Sequence, residues 1–167
     1  MTRMAGMDDG VLALAGRDLL QRFTRIAMVG LSADPSRPSY RVAVHLIAYG
    51  YDVCPVNPTI DEVLGIRAVP TLADAGPLEI VDVFRRPSEL PAVVDEAIAL
   101  GARAIWLQLG LRDDAAGERA RAAGITFVQD RCIKMEHCRC FGGLNWFGLA
   151  TGVVSSRREE TARAHAR

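Results

Sequence analysis

The 167-residue sequence has no net charge, because its 20 basic and 20 acidic residues cancel. The sequence is also poor in lysine: Lys134 is the one lysine among those 20 basic residues. Proteins that bind nucleic acid or an anionic membrane generally carry a basic excess on one face. The balance argues against a broad basic surface, so we expect neither nucleic acid nor a membrane as a partner. Any anion-binding site has to be local.

The sequence also lacks a hydrophobic run long enough to cross a membrane. Its longest weakly polar stretch, residues 141–154, contains several glycines and Asn145. It falls short of the roughly 20 apolar residues that a spanning helix needs. The N-terminus carries Asp8, Asp9 and Asp18 and no continuous apolar core, so it does not have the pattern of a signal peptide. These features predict a cytoplasmic protein.

Cysteine is sparse, and three of the four cysteines lie close together. Cys54, Cys132, Cys138 and Cys140 are too few for the disulfide framework of a secreted chain of this length, so we expect reduced thiols. The segment from Cys132 to Cys140, which includes His137, suggests a zinc site as one interpretation. Structural zinc sites usually pair their ligands in two separated knuckles, and this segment offers one end of such a set. A zinc or thiol redox module stays an alternative.

The glycines of a dinucleotide-binding loop are missing from the place where they would be expected. Residues 29–42, "VGLSADPSRPSYRV", follow an apolar run and precede an amphipathic one, yet contain one glycine where G-x-G-x-x-G has three. The next apolar run ends in "VCPVNP", with no acid before Asp61 to bind a ribose 2′-hydroxyl. A missing carboxylate suits a ligand with a phosphate near that ribose. Coenzyme A (CoA) has one on its 3′-oxygen, and NADP fits on charge alone.

Amphipathic stretches, each followed by a glycine and a short apolar run, organise the rest of the chain. Gly50, Gly101 and Gly124 stand where left-handed residues end helices, and Ser39 and Ser88 stand where N-caps belong. The apolar runs predict strands near residues 25–30, 52–56, 80–84, 103–108 and 125–129, with a short one near 66–69, and residues 17–23 predict a helix before them. Alternation of strands and helices predicts a single α/β domain with a doubly wound, mostly parallel, Rossmann-like sheet.

Ligands of such sheets bind outside the carboxyl ends of the strands, near the switch in strand order. Gly30 allows a sharp turn there, Ser32 and Ser39 offer hydroxyls, and Arg37 adds charge beside a helix start. Arg85 and Arg86 follow another strand; they are interpreted as ligand contacts, with a solvated pair as the alternative. The sequence therefore predicts an anionic ligand. We expect His45 and His165 at the surface, and Trp106 and Trp146 in core or interface packing.

Four stretches together resemble a known family: "VGLSADPSRPSYRVAVHL", "DVCPVNP", "VDVFRRPSELPAVVDEAIALGARAIWLQLG" and "DRCIKMEH". They resemble the small stand-alone CoA-binding proteins whose fold is that of the N-terminal domain of the succinyl-CoA synthetase alpha subunit. The match runs over residues 25–137. The resemblance implies that the loop after the first strand receives the CoA phosphates. The cofactor-binding residues it implies are Gly30, Ser32, Arg37, Ser39, Tyr40, Asn57, Pro58, Phe84, Arg85, Arg86, Gln108 and Gly110.

The resemblance implies a nucleotide-binding module for CoA or an acyl-CoA and supplies no reaction. The ligase's phosphohistidine and second domain have no counterpart, so we expect non-covalent binding and no catalytic or metal-binding residues. An NADP-type oxidoreductase remains an alternative. The expected organisation is an N-terminal helical segment at 1–24, the CoA-binding domain at 25–154 and a charged tail at 155–167. A homo-oligomer or an unknown protein partner is left open.

Overall fold

The computed structural model describes residues 9–142. The predictions for the end of the domain, for the charged tail at 155–167, and for Trp146 and His165 lie outside these residues. None of the helices within 9–142 combines the length and the apolar character that a bilayer-spanning helix requires.

The described chain alternates strands and helices, as its glycine-punctuated sequence predicts. The helices are α1 (Asp9–Arg22), α2 (Pro38–Ala48), α3 (Leu90–Ala99), α4 (Asp114–Ala122) and α5 (Ile133–Phe141). The strands are β1 (Arg25–Val29), β2 (Asp52–Val56), β3 (Glu62–Val63), β4 (Ile66–Arg67), β5 (Ile80–Val83), β6 (Ala104–Leu107) and β7 (Thr126–Val128). Short 3₁₀ turns lie at Leu72–Ala75 and Pro87–Glu89.

Five strands form one parallel sheet in the order β2-β1-β5-β6-β7. The doubly wound α/β fold is thereby confirmed. The strand predicted near 66–69 exists as β4, but it pairs with β3 in a separate antiparallel hairpin. The order reverses between β1 and β5, because the chain runs outward to β2 and then returns to the other side of β1. Their carboxyl ends form the switch point of the sheet.

Each face of the sheet carries its own core. Val81 and Val83 of β5 point into a core shared with α3 and α4, whereas Ile80 points into one shared with α1, α2 and α5. Trp106 of β6 lies in the second core and is fully buried, as predicted for it. Strands buried on both faces explain why their sequences are almost continuously apolar.

Local signals predicted where helices end better than where they begin. Gly50, Gly101 and Gly124 follow helices with φ of +86°, +74° and +78°, which confirms the predicted helix-to-strand junctions. The predicted N-caps are wrong: α2 starts at Pro38, so Arg37 is its N-cap, and α3 is capped by Glu89 after a 3₁₀ turn that contains Ser88. In both places a proline sets the first turn earlier or later than the serine predicts.

Candidate functional site

The switch point brings the loops after β1 and β5 together. The Phe84 amide donates to the carbonyl of Val29 at 2.8 Å, and the Gly30 amide donates to the carbonyl of Val56 at 2.9 Å. The ends of β1, β2 and β5 are therefore fixed to one another by main-chain hydrogen bonds. All the residues predicted from the resemblance to bind a cofactor follow one of the four strands β1, β2, β5 and β6 at this same carboxyl edge.

Gly30 makes this close approach possible. Its φ is +86°, and a β-carbon built on it would lie 2.2 Å from the carbonyl oxygen of Phe84. No side chain other than hydrogen fits there, since heavy atoms at that distance overlap. The sequence predicts a sharp turn as the reason for a glycine at position 30. The structure adds a second reason, because the main chain at the end of β5 leaves no room for a side chain there.

The loop from Gly30 to α2 is held by its own serines. The amide of Ser32 donates to Oγ of Ser39 at 3.1 Å, and the amide of Asp34 donates to Oγ of Ser32 at 3.1 Å. Asp34 in turn accepts from the amide of Ser36 at 2.9 Å, which lowers the pKa of its carboxyl. Ser39 is buried. These hydroxyl oxygens thus fix the shape of the loop, while their O–H groups can still donate to a ligand.

Three arginines follow the two strands that meet at the switch point: Arg37 comes after β1, and Arg85 and Arg86 come after β5. Arg37 is exposed, and its Nε lies 3.9 Å from the carboxylate of Asp34. Among residues 14–142, neither Arg85 nor Arg86 forms a salt bridge. The amide of Arg86 donates to Oε2 of Glu89 at 3.2 Å, which fixes its backbone. Arginine forks of this kind suit phosphate groups.

Asn57 ties the loops of β1 and β2 together. Its Nδ2 donates to the carbonyl of Leu31 at 2.9 Å, and its Oδ1 accepts from the amide and the hydroxyl of Thr59. The side chain is buried, whereas Pro58 beside it is exposed. The structure therefore uses the Asn57 carboxamide to shape the edge and leaves Pro58 on its surface.

Tyr40 and Phe84 are the two aromatic residues among those predicted to bind a cofactor. Both are partly buried and pack against the core that α1, α2 and α5 share. Gly110 lies after β6 with φ of +82°, and its amide donates to Oδ1 of Asp130 at 2.8 Å. That hydrogen bond fixes the turn after β6.

Gln108 has a partner that the sequence did not predict. Its Nε2 donates to Oδ1 of Asp82, a fully buried residue of β5, at 2.6 Å. Within the part of the chain that the structure describes, the other oxygen of Asp82, Oδ2, is buried without a hydrogen-bond partner. Burial raises the pKa of the Asp82 carboxyl to about 7, against the hydrogen bonds from Gln108 and the Val83 backbone, which lower it. The one signal in the sequence was an acid inside the apolar run "IVDVF".

A second cluster lies away from the edge, between α2 and α5. Nε2 of His45 lies 3.0 Å from Nδ1 of His137 and 3.8 Å from Sγ of Cys138. His45 is partly buried rather than fully at the surface as expected, because α5 packs against one side of it. Burial, His137 and Lys134 lower the pKa of His45 to about 4, and burial lowers that of His137. With a pKa of about 4, the His45 ring is neutral at pH 7.

The geometry of this cluster bears on the zinc alternative. Cys138 contacts His45, a residue that was not among the candidate ligands, while Cys132 caps α5 and Cys140 lies near its end. Within the part of the chain that the structure describes, no group of three or more histidine, cysteine, aspartate or glutamate side chains is placed to hold a metal ion. What the segment does show is contact between α5 and α2, through His137 and Cys138 against His45.

The sequence profile of a family described as "CoA binding domain" matches residues 24–138, which is more than half of the chain. The protein belongs to this CoA-binding domain family. The family match confirms the predicted resemblance, and it extends from the residue before β1 into α5. It therefore includes the whole parallel sheet and every predicted cofactor-binding residue.

Relatives of this CoA-binding domain protein share most of its length. The uncharacterized protein YneT of Bacillus subtilis (strain 168) is 44% identical over 122 residues, which are 72% of this chain and 90% of that protein. A hypothetical protein from Pyrococcus horikoshii OT3 is 37% identical with a TM-score of 0.74, over 85% of this chain and 99% of that one. The structure of cell-free ID.343 from Thermus thermophilus is 40% identical with a TM-score of 0.72, over 81% and 100%.

Proposed function

We propose that this protein binds CoA or an acyl-CoA non-covalently at the carboxyl edge of its sheet. The observation that carries the proposal is the switch point itself: a glycine lets the β1 loop approach β5, beside Arg85 and Arg86, whose guanidinium groups form no ion pair with residues 14–142. Membership in the CoA-binding domain family supports the choice of ligand. The site offers positioning groups rather than a nucleophile with a base, so the proposed role is binding.

The strand order suggests how the ligand lies. In sheets of this kind the phosphates lie at the switch point, and the end of the second strand contacts the ribose of the adenosine. Here Asn57 and Pro58 directly follow the second strand, so no carboxylate stands at these two positions to repel a phosphate on that ribose. The pyrophosphate of CoA then lies between the loops after β1 and β5, within reach of Arg37, Arg85 and Arg86. The pantetheine arm continues toward β6.

Binding selectivity tests this proposal. Isothermal titration calorimetry with CoA, acetyl-CoA, NAD and NADP should give measurable binding of CoA or its thioester and much weaker binding of both dinucleotides. A ligand that binds the folded state alone also raises the melting temperature as its concentration increases above Kd. Equal or tighter binding of NADP would replace the proposal with the dinucleotide alternative.

Arginine substitutions test the proposed phosphate contacts. A charge-assisted hydrogen bond contributes about 1.5–3 kcal/mol, so Arg37→Ala or Arg86→Ala should weaken CoA binding roughly 10- to 100-fold. Folding should change little, because both side chains are exposed. Arg103→Ala is the matched control: this exposed arginine directly precedes β6, at the opposite end of the sheet.

Comparison with 3′-dephospho-CoA separates the phosphates. An arginine that binds the 3′-phosphate should matter much less for the ligand without it, whereas one that binds the pyrophosphate should matter equally for both. We expect at least one of Arg37 and Arg86 to couple to the 3′-phosphate. If both variants bind both ligands as tightly as Arg103→Ala does, the arginines are solvated and the residue assignment is wrong even where CoA binds.

A further inference from the structure

The buried pair of Asp82 and Gln108 lies on the same side of the sheet as the proposed site. Side chains alternate along a strand, so Asp82 shares a face with Ile80, and Gln108 shares one with Trp106. Both Ile80 and Trp106 belong to the core that includes α2. The loop that begins at Gly30 leads into α2 on that face. The pair therefore lies on the α2 face of the sheet, with Asp82 on β5 beside the switch point and Gln108 one strand further, at the end of β6.

Asp82 decides which atom of Gln108 a ligand can meet. Its Oδ1 accepts the hydrogen bond from Nε2 at 2.6 Å, and a carboxyl oxygen that carries no proton attracts the N–H groups of an amide rather than its oxygen. The carboxamide is thus held with its nitrogen toward β5. Oε1 is left as the acceptor at the carboxyl edge of β6, where Gln108 is the first residue after the strand.

The position of β6 indicates which part of CoA reaches this acceptor. Neighbouring strands lie about 4.8 Å apart, so the end of β6 is roughly 10 Å from the end of β1, across β5. Adenosine belongs to the β2 side and the pyrophosphate to the switch point between β1 and β5. What extends beyond them toward β6 is the pantetheine arm, which carries two amide N–H donors.

We propose that Asp82 is a positioning residue that orients Gln108 so that its Oε1 accepts a hydrogen bond from an amide N–H of the pantetheine arm. This inference rests on the proposed binding of CoA and adds a specificity element to it. Gln108 is the residue that touches the ligand, and Asp82 acts through it. A buried carboxyl with one oxygen unpartnered is costly to keep, and a role in orienting the neighbouring amide gives a reason for its presence.

A pair of variants at position 82 tests the orientation. Asp82→Asn keeps an oxygen that can accept from Nε2 of Gln108, whereas Asp82→Leu has a similar shape and no acceptor. The ligands are CoA and adenosine 3′,5′-bisphosphate, which lacks the pantetheine arm. We expect Asp82→Leu to weaken CoA about five- to tenfold, the effect of one hydrogen bond, and to leave the bisphosphate unchanged. Asp82→Asn should stay within about twofold of the parent for both.

Gln108→Met provides a second route if Asp82→Leu does not fold, because it removes the acceptor while keeping the size of the side chain. It should reproduce the selective loss of CoA affinity. Unchanged CoA affinity in Asp82→Leu or Gln108→Met would overturn the inference, as would equal losses for CoA and the bisphosphate, since these show a general effect on the edge. A parent protein that does not bind CoA would instead refute the proposed function on which the inference rests.

Discussion

Replacing Gly30 with alanine would place a methyl group where the carbonyl oxygen of Phe84 already lies. The β-carbon would be 2.2 Å from that oxygen and 3.1 Å from the carbonyl carbon, both main-chain atoms that cannot rotate away. One of the two strand ends has to move. The movement would disturb the hydrogen bonds from Phe84 to Val29 and from Gly30 to Val56, which measure 2.8 and 2.9 Å.

The expected loss of stability has two parts. A left-handed conformation costs a non-glycine residue about 1–2 kcal/mol. Weakening one or two main-chain hydrogen bonds costs roughly 0.5–1.5 kcal/mol each. Gly30→Ala should therefore lower the free energy of unfolding by about 2–4 kcal/mol. Gly124→Ala is the matched control, because Gly124 has a similar φ of +78° and a β-carbon added to it would meet no atom of the described residues within 4 Å. Only the first part of the cost therefore applies to it.

Urea denaturation of both variants and the parent, followed by circular dichroism, measures the difference. Gly30→Ala should be destabilised by at least about 1 kcal/mol more than Gly124→Ala, and it should also bind CoA more weakly, because the displaced main chain carries Arg85. Equal destabilisation of the two variants would refute the reasoning, since it would mean that β1 and β5 do not approach each other at Gly30 as closely as described.

Two further predictions concern pH. The pKa of His45 is lowered to about 4 in the folded protein, so the unfolded chain binds more protons between pH 4 and about 6.5. The free energy of unfolding should therefore fall as pH decreases through this window, and it should fall less in His45→Gln. Urea denaturation at several pH values measures both. Asp82 has the opposite sign: its pKa is raised to about 7, so the folded state binds the extra proton and stability is lost as pH rises from about 4 to 7. The free energy of unfolding of Asp82→Asn should rise relative to that of the parent as pH increases across that range, and the difference between the two proteins should be constant above about pH 8. A difference between them that does not change with pH would show that Asp82 is not buried as described.

The parts of the fold that depend on neighbours in sequence were predictable. An apolar run of strand length and a glycine in the left-handed region are local features, so β1, β2, β5, β6 and β7 and the junctions at Gly50, Gly101 and Gly124 follow from the sequence. The location of the candidate site follows as well, because parallel strands that alternate with helices end at one edge whatever their lateral order. The exact start of α2 and α3 did not follow, since prolines and serines compete for the first turn.

Pairs formed across the sheet or between helices left no such local signal. Gln108 and Asp82 are 26 residues apart and meet because β6 lies beside β5, an adjacency that the order of elements alone does not give. His45 and His137, 92 residues apart, meet only because α5 packs on α2. An acid in "IVDVF" does indicate that something unusual is buried, because an unpaired carboxyl inside an apolar strand is destabilising. The sequence around Asp82 cannot indicate which residue this acid contacts. That partner is Gln108, at the edge of the proposed site, and it is the contact with Gln108 that leads to a specific hypothesis about ligand recognition.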